Sequence, residues 1–291
     1  TVSKTAGNGA YKLSGLTEVG DRIPIRMMLD RGWPEYDYPK PMNNIMVENY
    51  RAFLKWQTDN RKLKPGRFQP DRNDQIVLQY DPKGYTEFEI RNLAANGEVW
   101  TGVGENTRHR FPDLKDLPPM DRPSENDCSI ALRISYGPFD YFTGGDIGGG
   151  LQPGAPEWLD METPVAQVVG PVEVNVLNHH ANKSSGNAFL LRTLRPRVHL
   201  IQVWSSDHPA DTVLERMLST RLYPGPRDIF ATSMTEANRL VIGDNLEKLL
   251  SDQGHIIVRV DQGGKSYKVI ILNDSNETFT IKGIFGPYPC N

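Results

Sequence analysis

Ile130, Leu132 and Ile134 alternate with Ala131, Arg133 and Ser135, and beyond Gly137-Pro138 the chain continues through Phe139, Tyr141 and Thr143. Period-two alternation puts successive side chains on opposite faces of a strand, so this stretch predicts a hairpin turned at Gly137-Pro138. The pattern then changes to alternating helical and extended segments. Helices are predicted at Met161–Val169, Asn187–Leu194, Thr212–Arg221 and Thr235–Leu250, and strands at Val172–Leu177, Val198–Trp204 and Asp228–Thr232. That order implies an α/β sheet covered by helices. The tail returns to strands at His255–Val260, Tyr267–Leu272 and Thr278–Ile284, linked by turns at Asp261–Gly264 and Asn273–Asn276.

Upstream the signals are weaker. Ile23–Arg31 reads as a short helix running into a Pro/Tyr-rich connector, Trp33–Pro41. Val47, Tyr50, Phe53, Leu54 and Trp56 recur at helical spacing within Asn44–Asp59, with an asparagine available as cap. Ile76–Leu78 and Phe88–Leu93 read as two strands joined at Asp81–Gly84, and Asn96–Asn126 as a long polar loop, Pro-rich from Pro112 to Pro123.

Composition excludes several classes. The 291 residues carry a formal net charge of −3, so no whole-chain basic field holds a polyanion and any nucleic-acid contact is local. No apolar run reaches the roughly 18 residues of a membrane span. The chain is expected to be soluble with no membrane segment; the compartment stays open, the cytoplasm being favoured. Cys128 and Cys290 are too far apart for a metal finger and too few for a disulfide framework. The polar stretch Thr1–Gly9 is expected to follow a segment that once preceded it.

Candidate chemistry falls at the carboxyl ends of three predicted strands, where open α/β sheets hold their ligands. Asp146 sits in Thr143-Gly-Gly-Asp-Ile-Gly-Gly-Gly150, whose glycines allow close backbone approach; such an aspartate also serves as a turn or cap residue. His179-His180 follows Val172–Leu177, and adjacent histidines there can divide metal binding from substrate contact; a surface loop is the bland alternative. His208 lies in Ser205-Ser-Asp-His-Pro209 after Val198–Trp204, where His-Pro can also be plain turn chemistry. His199 reads as a core residue, His255 as an exposed one, and His109 as part of a solvated basic loop able to offer a distant phosphate contact. No Gly-x-Ser-x-Gly elbow and no His-Glu-x-x-His pair occurs.

Four ordered segments carry a resemblance. Asn126-Asp-Cys-Ser leads through the hairpin to Thr143-Gly-Gly-Asp146; Val174-Asn-Val-Leu-Asn-His-His-Ala-Asn-Lys-Ser-Ser185 follows, then Phe189–Val198 and Asp207-His-Pro-Ala-Asp-Thr-Val-Leu214. Together, over about residues 70 to 235, they resemble ComEC-type metallo-β-lactamase-fold hydrolases. The sequence departs from that pattern in its extra glycine before Asp146 and in Ala181-Asn182 for the usual Gly-Ser; His-x-His-x-Asp-His is absent.

The resemblance implies an α/β fold of αββα sandwich type, truncated at its amino terminus. Residues 1–250 would be the partial domain, and residues 251–291 a carboxyl-terminal β extension packed on it. It implies a dinuclear zinc centre, manganese being the alternative, with Asp146 bridging the metals. In related phosphorylcholine esterases the second histidine of the pair is the ligand, which gives that part to His180. His179 would face the leaving group or the transition-state charge, while His208 and Lys183 line the pocket, Lys183 as a phosphate contact. The implied activity is phosphodiester hydrolysis, with a small molecule or nucleic acid as substrate and the missing amino-terminal segment as a possible partner; the chain as given is expected to be inactive, because the His-x-His-x-Asp-His motif is missing. The competing class is a binding or scaffolding domain of the same fold that has lost its metals.

Overall fold

The computed structural model describes residues 4–290, so Thr1–Ser3 of the polar leading stretch lie outside it. The chain forms two compact units that divide between Phe68 and Gln69. The division expected near residue 250 does not coincide with this boundary.

In the first unit, β1 (Thr5–Ala6), inside the polar stretch Thr1–Gly9, pairs antiparallel with β2 (Tyr11–Lys12) just beyond it. Helix α1 (Leu16–Arg22) comes next, then β3 (Met27–Asp30), α2 (Ile45–Arg61) and β4 (Lys64–Arg67), with β3 and β4 parallel. The helix expected over Ile23–Arg31 is therefore a strand preceded by a helix. The cause is Pro24: the residue before a proline is pushed out of the α region, and Ile23 is extended at φ −117° and ψ 124°. Helix α2 starts where its cap predicts, the Asn44 side chain accepting from Met46 N at 3.0 Å and Val47 N at 3.1 Å. Its Phe53 and Leu54 are fully buried against Tyr11, Tyr36 and Leu63.

The second unit is built on an eight-stranded mixed sheet. Its strands are β5 (Phe88–Ala95), β6 (Glu98–Trp100), β7 (Thr107–His109), β8 (Ala131–Tyr136), β9 (Phe139–Thr143), β10 (Val174–Val176), β11 (Val198–Ile201) and β12 (Asp228–Ala231). The order across the sheet is β12-β11-β10-β9-β8-β5-β6-β7. Strands β9 to β12 run parallel, and the rest pair antiparallel. The hairpin turned at Gly137-Pro138 is β8–β9, with Tyr136 opposite Phe139. Ile76–Leu78 form no strand; β5 takes its partner from β8 instead. The first part of the expected loop after residue 96 also pairs. Ala95 lies opposite Glu98 across Asn96-Gly97, both with positive φ (54° and 79°), which is the two-residue turn that matches the twist of a hairpin.

Helices α3 (Glu162–Val169), α4 (Ala188–Leu194), α5 (Asp211–Leu218) and α6 (Glu236–Ile242) intervene in the second half, and Gly243 at φ 62° ends the last one well short of Leu250. Three antiparallel strands, β13 (His255–Val260), β14 (Ser266–Leu272) and β15 (Ile281–Pro289), close the chain as a sheet of their own. Alternation decides what each face of the main sheet meets. Ile201, Ile229 and Ala231 pack with Leu191, Val213, Leu214 and Met217 of the helices. Val198, Leu200 and Phe230 face the other way, onto Tyr267, Val269 and Ile271 of β14. Covered on both sides, β10 and β11 are buried along their whole length, and each large apolar side chain so enclosed contributes about 1.5–3 kcal/mol. No helix among the described residues is long and apolar enough to cross a membrane.

Candidate active site

Strands β9, β10 and β11 are parallel neighbours, so their carboxyl ends open side by side. Asp146 follows β9, His179 and His180 follow β10, and His208 lies beyond β11. The sheet register therefore collects residues that are far apart in sequence.

After β9 the backbone turns through Gly145 at φ 58°, whose carbonyl accepts from His179 N at 2.9 Å. After β10 comes an unusual feature: His179, His180 and Ala181 are all left-handed, at φ 48°, 57° and 61°. None is glycine, and each such residue costs about 1–2 kcal/mol. The turn leaves the two rings 6.4 Å apart with different partners. His179 Nε2 lies 3.1 Å from Asn126 Nδ2 and its Nδ1 3.3 Å from Ser184 Oγ. It lines a cavity of about 240 Å³ together with Asn126, Asp127, Asp146 and Ser184.

His180 has other partners. Its Nδ1 is 2.7 Å from the Gln202 carbonyl, which can only accept, so Nδ1 carries a proton and Nε2 holds a lone pair whenever the ring is neutral. That Nε2 lies 3.5 Å from Asp146 Oδ1. Two ligands bound to one tetrahedral zinc at about 2.0–2.1 Å stand roughly 3.4 Å apart, so this pair has the chemistry and the spacing of half a metal site. Among the described residues, no three His, Cys, Asp or Glu side chains are grouped to hold an ion.

His208 is buried and stacks on His180, with centroids 5.0 Å apart and planes at 19°. Its Nε2 lies 3.6 Å from Asp207 Oδ1, and its Nδ1 is buried without a hydrogen-bond partner. Burial pushes its imidazole below the ordinary range; Asp207 acts against this, while His180 and His179 add to it. Asp207 itself is held low first by the Ser205 hydroxyl, which donates at 2.7 Å, and in lesser part by Lys183. Lys183 is exposed on the turn after Asn182, close enough for its charge to act on Asp207.

The remaining histidines stand apart from this cluster. His199 is a satisfied core residue: Tyr223 donates to Pro196 O at 3.1 Å and accepts from His199 Nε2 at 2.9 Å. His109 pairs with Glu98 at 2.9 Å on β7, and His255 is exposed at the start of β13 against Phe279. Sequence reasoning gave no role to Asn126, Ser184 or Trp204. The first two earn one through bonds to His179. Trp204, 72% exposed, stands edge-to-face with His208 and His180, its ring centroid 5.6 Å and 6.1 Å from theirs, a contact only the fold reveals. No family model matches this chain, and no curated protein matches it.

Proposed function

We propose that this chain carries part of a metal-dependent hydrolase site of metallo-β-lactamase type, acting on phosphodiesters, with small-molecule diesters or nucleic acid as substrate. The observation that carries the reading is the placement of His180 Nε2 3.5 Å from the Asp146 carboxylate, across neighbouring strand ends. With the ring neutral both groups are acceptors, and a cation between them would satisfy both. In this reading His180 and Asp146 hold a metal, for which zinc suits the imidazole/carboxylate set and manganese is an alternative. A bound ion there supplies Lewis acidity toward a phosphoryl oxygen and a hydroxide at neutral pH.

The chain's own residues do the rest. Asn126 donates to His179 Nε2, so Nδ1 bears the proton toward Ser184. A substrate oxygen that displaced the Asn126 amide would meet Nε2, from which a protonated ring would donate to the leaving-group oxygen or to charge growing on the phosphate. His208 keeps the face of His180 dry, and Lys183 offers a mobile point charge to a phosphate.

One observation favours a second reading. No third ligand joins Asp146 and His180 among the described residues, and a protonated His180 would pair with Asp146 with no metal at all. The protein would then be a non-catalytic binding or scaffolding domain. Titration with Zn²⁺ and Mn²⁺, followed by calorimetry and by hydrolysis of bis(p-nitrophenyl) phosphate, separates the two. With only part of the ligand set present, the hydrolase reading expects weak binding that His180→Ala abolishes, and any turnover to depend on the metal. Metal-independent behaviour identical in wild type and His180→Ala would leave the binding-domain reading standing.

A further inference from the structure

We propose that Glu162 is the positioning residue that holds the left-handed His179–His180–Ala181 turn in place, and with it the orientation of both imidazoles. This rests on reading those histidines as site residues.

Glu162 is the first residue of α3 and is fully buried, where a carboxylate survives only with its oxygens satisfied. It is satisfied entirely by the segment that bears the histidines. Oε1 accepts from Asn178 Nδ2 at 2.8 Å, immediately before the strained turn, and from Gly186 N at 2.8 Å, beyond it. Oε2 accepts from Asn187 N at 2.7 Å. One carboxylate therefore clasps the turn at both ends. Ser185 Oγ adds bonds to Asn178 O at 2.8 Å and Asn182 O at 2.9 Å, and Arg216 donates to Ser185 O and Gly186 O at 3.0 Å each. Burial pushes the Glu162 carboxyl up to about 7, and the three N–H donors act against that. None of the three can accept, so a protonated acid would have nothing to give its hydrogen to among them.

The glycines around Asp146 point to the same device. A Cβ at Gly149 would stand 2.5 Å from Glu162 Oε2, and one at Gly144 would stand 2.5 Å from Asn178 Oδ1. Both glycines clear the space that Glu162 and Asn178 fill. The loop carrying Asp146 and the turn carrying the histidines are thereby fitted to one buried carboxylate. Left to itself, a run of three left-handed non-glycine residues relaxes; the clasp supplies what keeps it.

The test reads imidazole geometry directly, in protein free of metal and substrate. Long-range ¹H–¹⁵N spectra of the histidine rings in wild type should show His180 as the Nδ1-protonated tautomer. Glu162→Gln, which turns an NH₂ toward an N–H donor, should convert His180 to a mixture of tautomers and shift both rings. Asn178→Ala, which opens only the near end of the clasp, should move the same signals to a smaller extent. Val165→Ala, a fully buried position on the same helix, controls for lost stability: it should lower Tm comparably and leave the ring signals unmoved. Unchanged His179 and His180 signals in Asn178→Ala and Glu162→Gln overturn the proposal, as does an equal shift in Val165→Ala. Should Glu162→Gln fail to fold, Asn178→Ala against Val165→Ala decides alone. Because no metal or diester is present, a wild-type protein that binds no zinc would count against the hydrolase reading and leave this test intact.

Discussion

The His208 ring lies nearly parallel to that of His180, with 5.0 Å between centroids, while the Gln202 carbonyl holds His180 from its Nδ1 side at 2.7 Å. One imidazole is thus fixed by a hydrogen bond at its rim and a ring against its face. On the hydrolase reading, removing the face by His208→Ala should let His180 swing and lower zinc affinity by roughly 10-fold, the smaller end of what outer-shell partners contribute. His208→Phe, which keeps a ring there and removes the unpartnered Nδ1, should retain most of that affinity. Calorimetric titration of both variants checks this; equal losses would mean that the stack does not matter.

The two adjacent histidines should fail differently. On the hydrolase reading His180→Ala loses metal and turnover together, because it deletes a ligand. His179→Ala keeps its metal and loses roughly 10²–10⁴ in kcat, the usual scale of a general acid or a transition-state donor. Metal analysis beside steady-state kinetics on a chromogenic diester tells them apart, and a reversed pattern would exchange the two roles.

His199 makes stability depend on acid. It is fully buried, and burial, with Arg227 adding to it, carries its pKa down to about 3, against about 6.5 in an unfolded chain. Below 6.5 the unfolded chain therefore takes up a proton that the folded one refuses. Its contribution is complete above that value and is lost as the pH falls toward 3, at up to about 1.4 kcal/mol per pH unit. Urea unfolding between pH 7 and pH 4 should show this slope in wild type and a shallower one in His199→Gln. Parallel profiles would refute the assignment.

Two glycine substitutions should differ because of their surroundings. Gly149→Ala drives a methyl to 2.5 Å from Glu162 Oε2 and 2.9 Å from Asn187 Cβ and should cost about 1–3 kcal/mol or more. Gly154→Ala, at φ 77° with nothing within 4 Å of the new methyl, meets only backbone strain of about 1 kcal/mol. Thermal unfolding compares them, and equal shifts in Tm would deny the close approach.

Local chemistry alone determined much of this protein. Alternation marked the β8–β9 hairpin, the Asn44 side chain marked the start of α2, and the succession of helical and extended periods marked the parallel half of the sheet, because each of these signals acts over a few residues. It also placed Asp146, the paired histidines and His208 at strand ends. Some local signals were present and outweighed in the reading: Pro24 against a helix, Asn96-Gly97 for a hairpin, Gly243 for the end of α6. Other matters were decided by tertiary structure. Which strand pairs with β5, and that Ile76–Leu78 pairs with none, depends on partners distant in sequence. The separate partners of His179 and His180, the stacking of His208, and the clasp of Glu162 on Asn178 and Gly186 depend on three strand ends meeting. A carboxylate in the first turn of a helix reads as ordinary helix chemistry until the fold removes it from water and leaves those N–H groups as its partners.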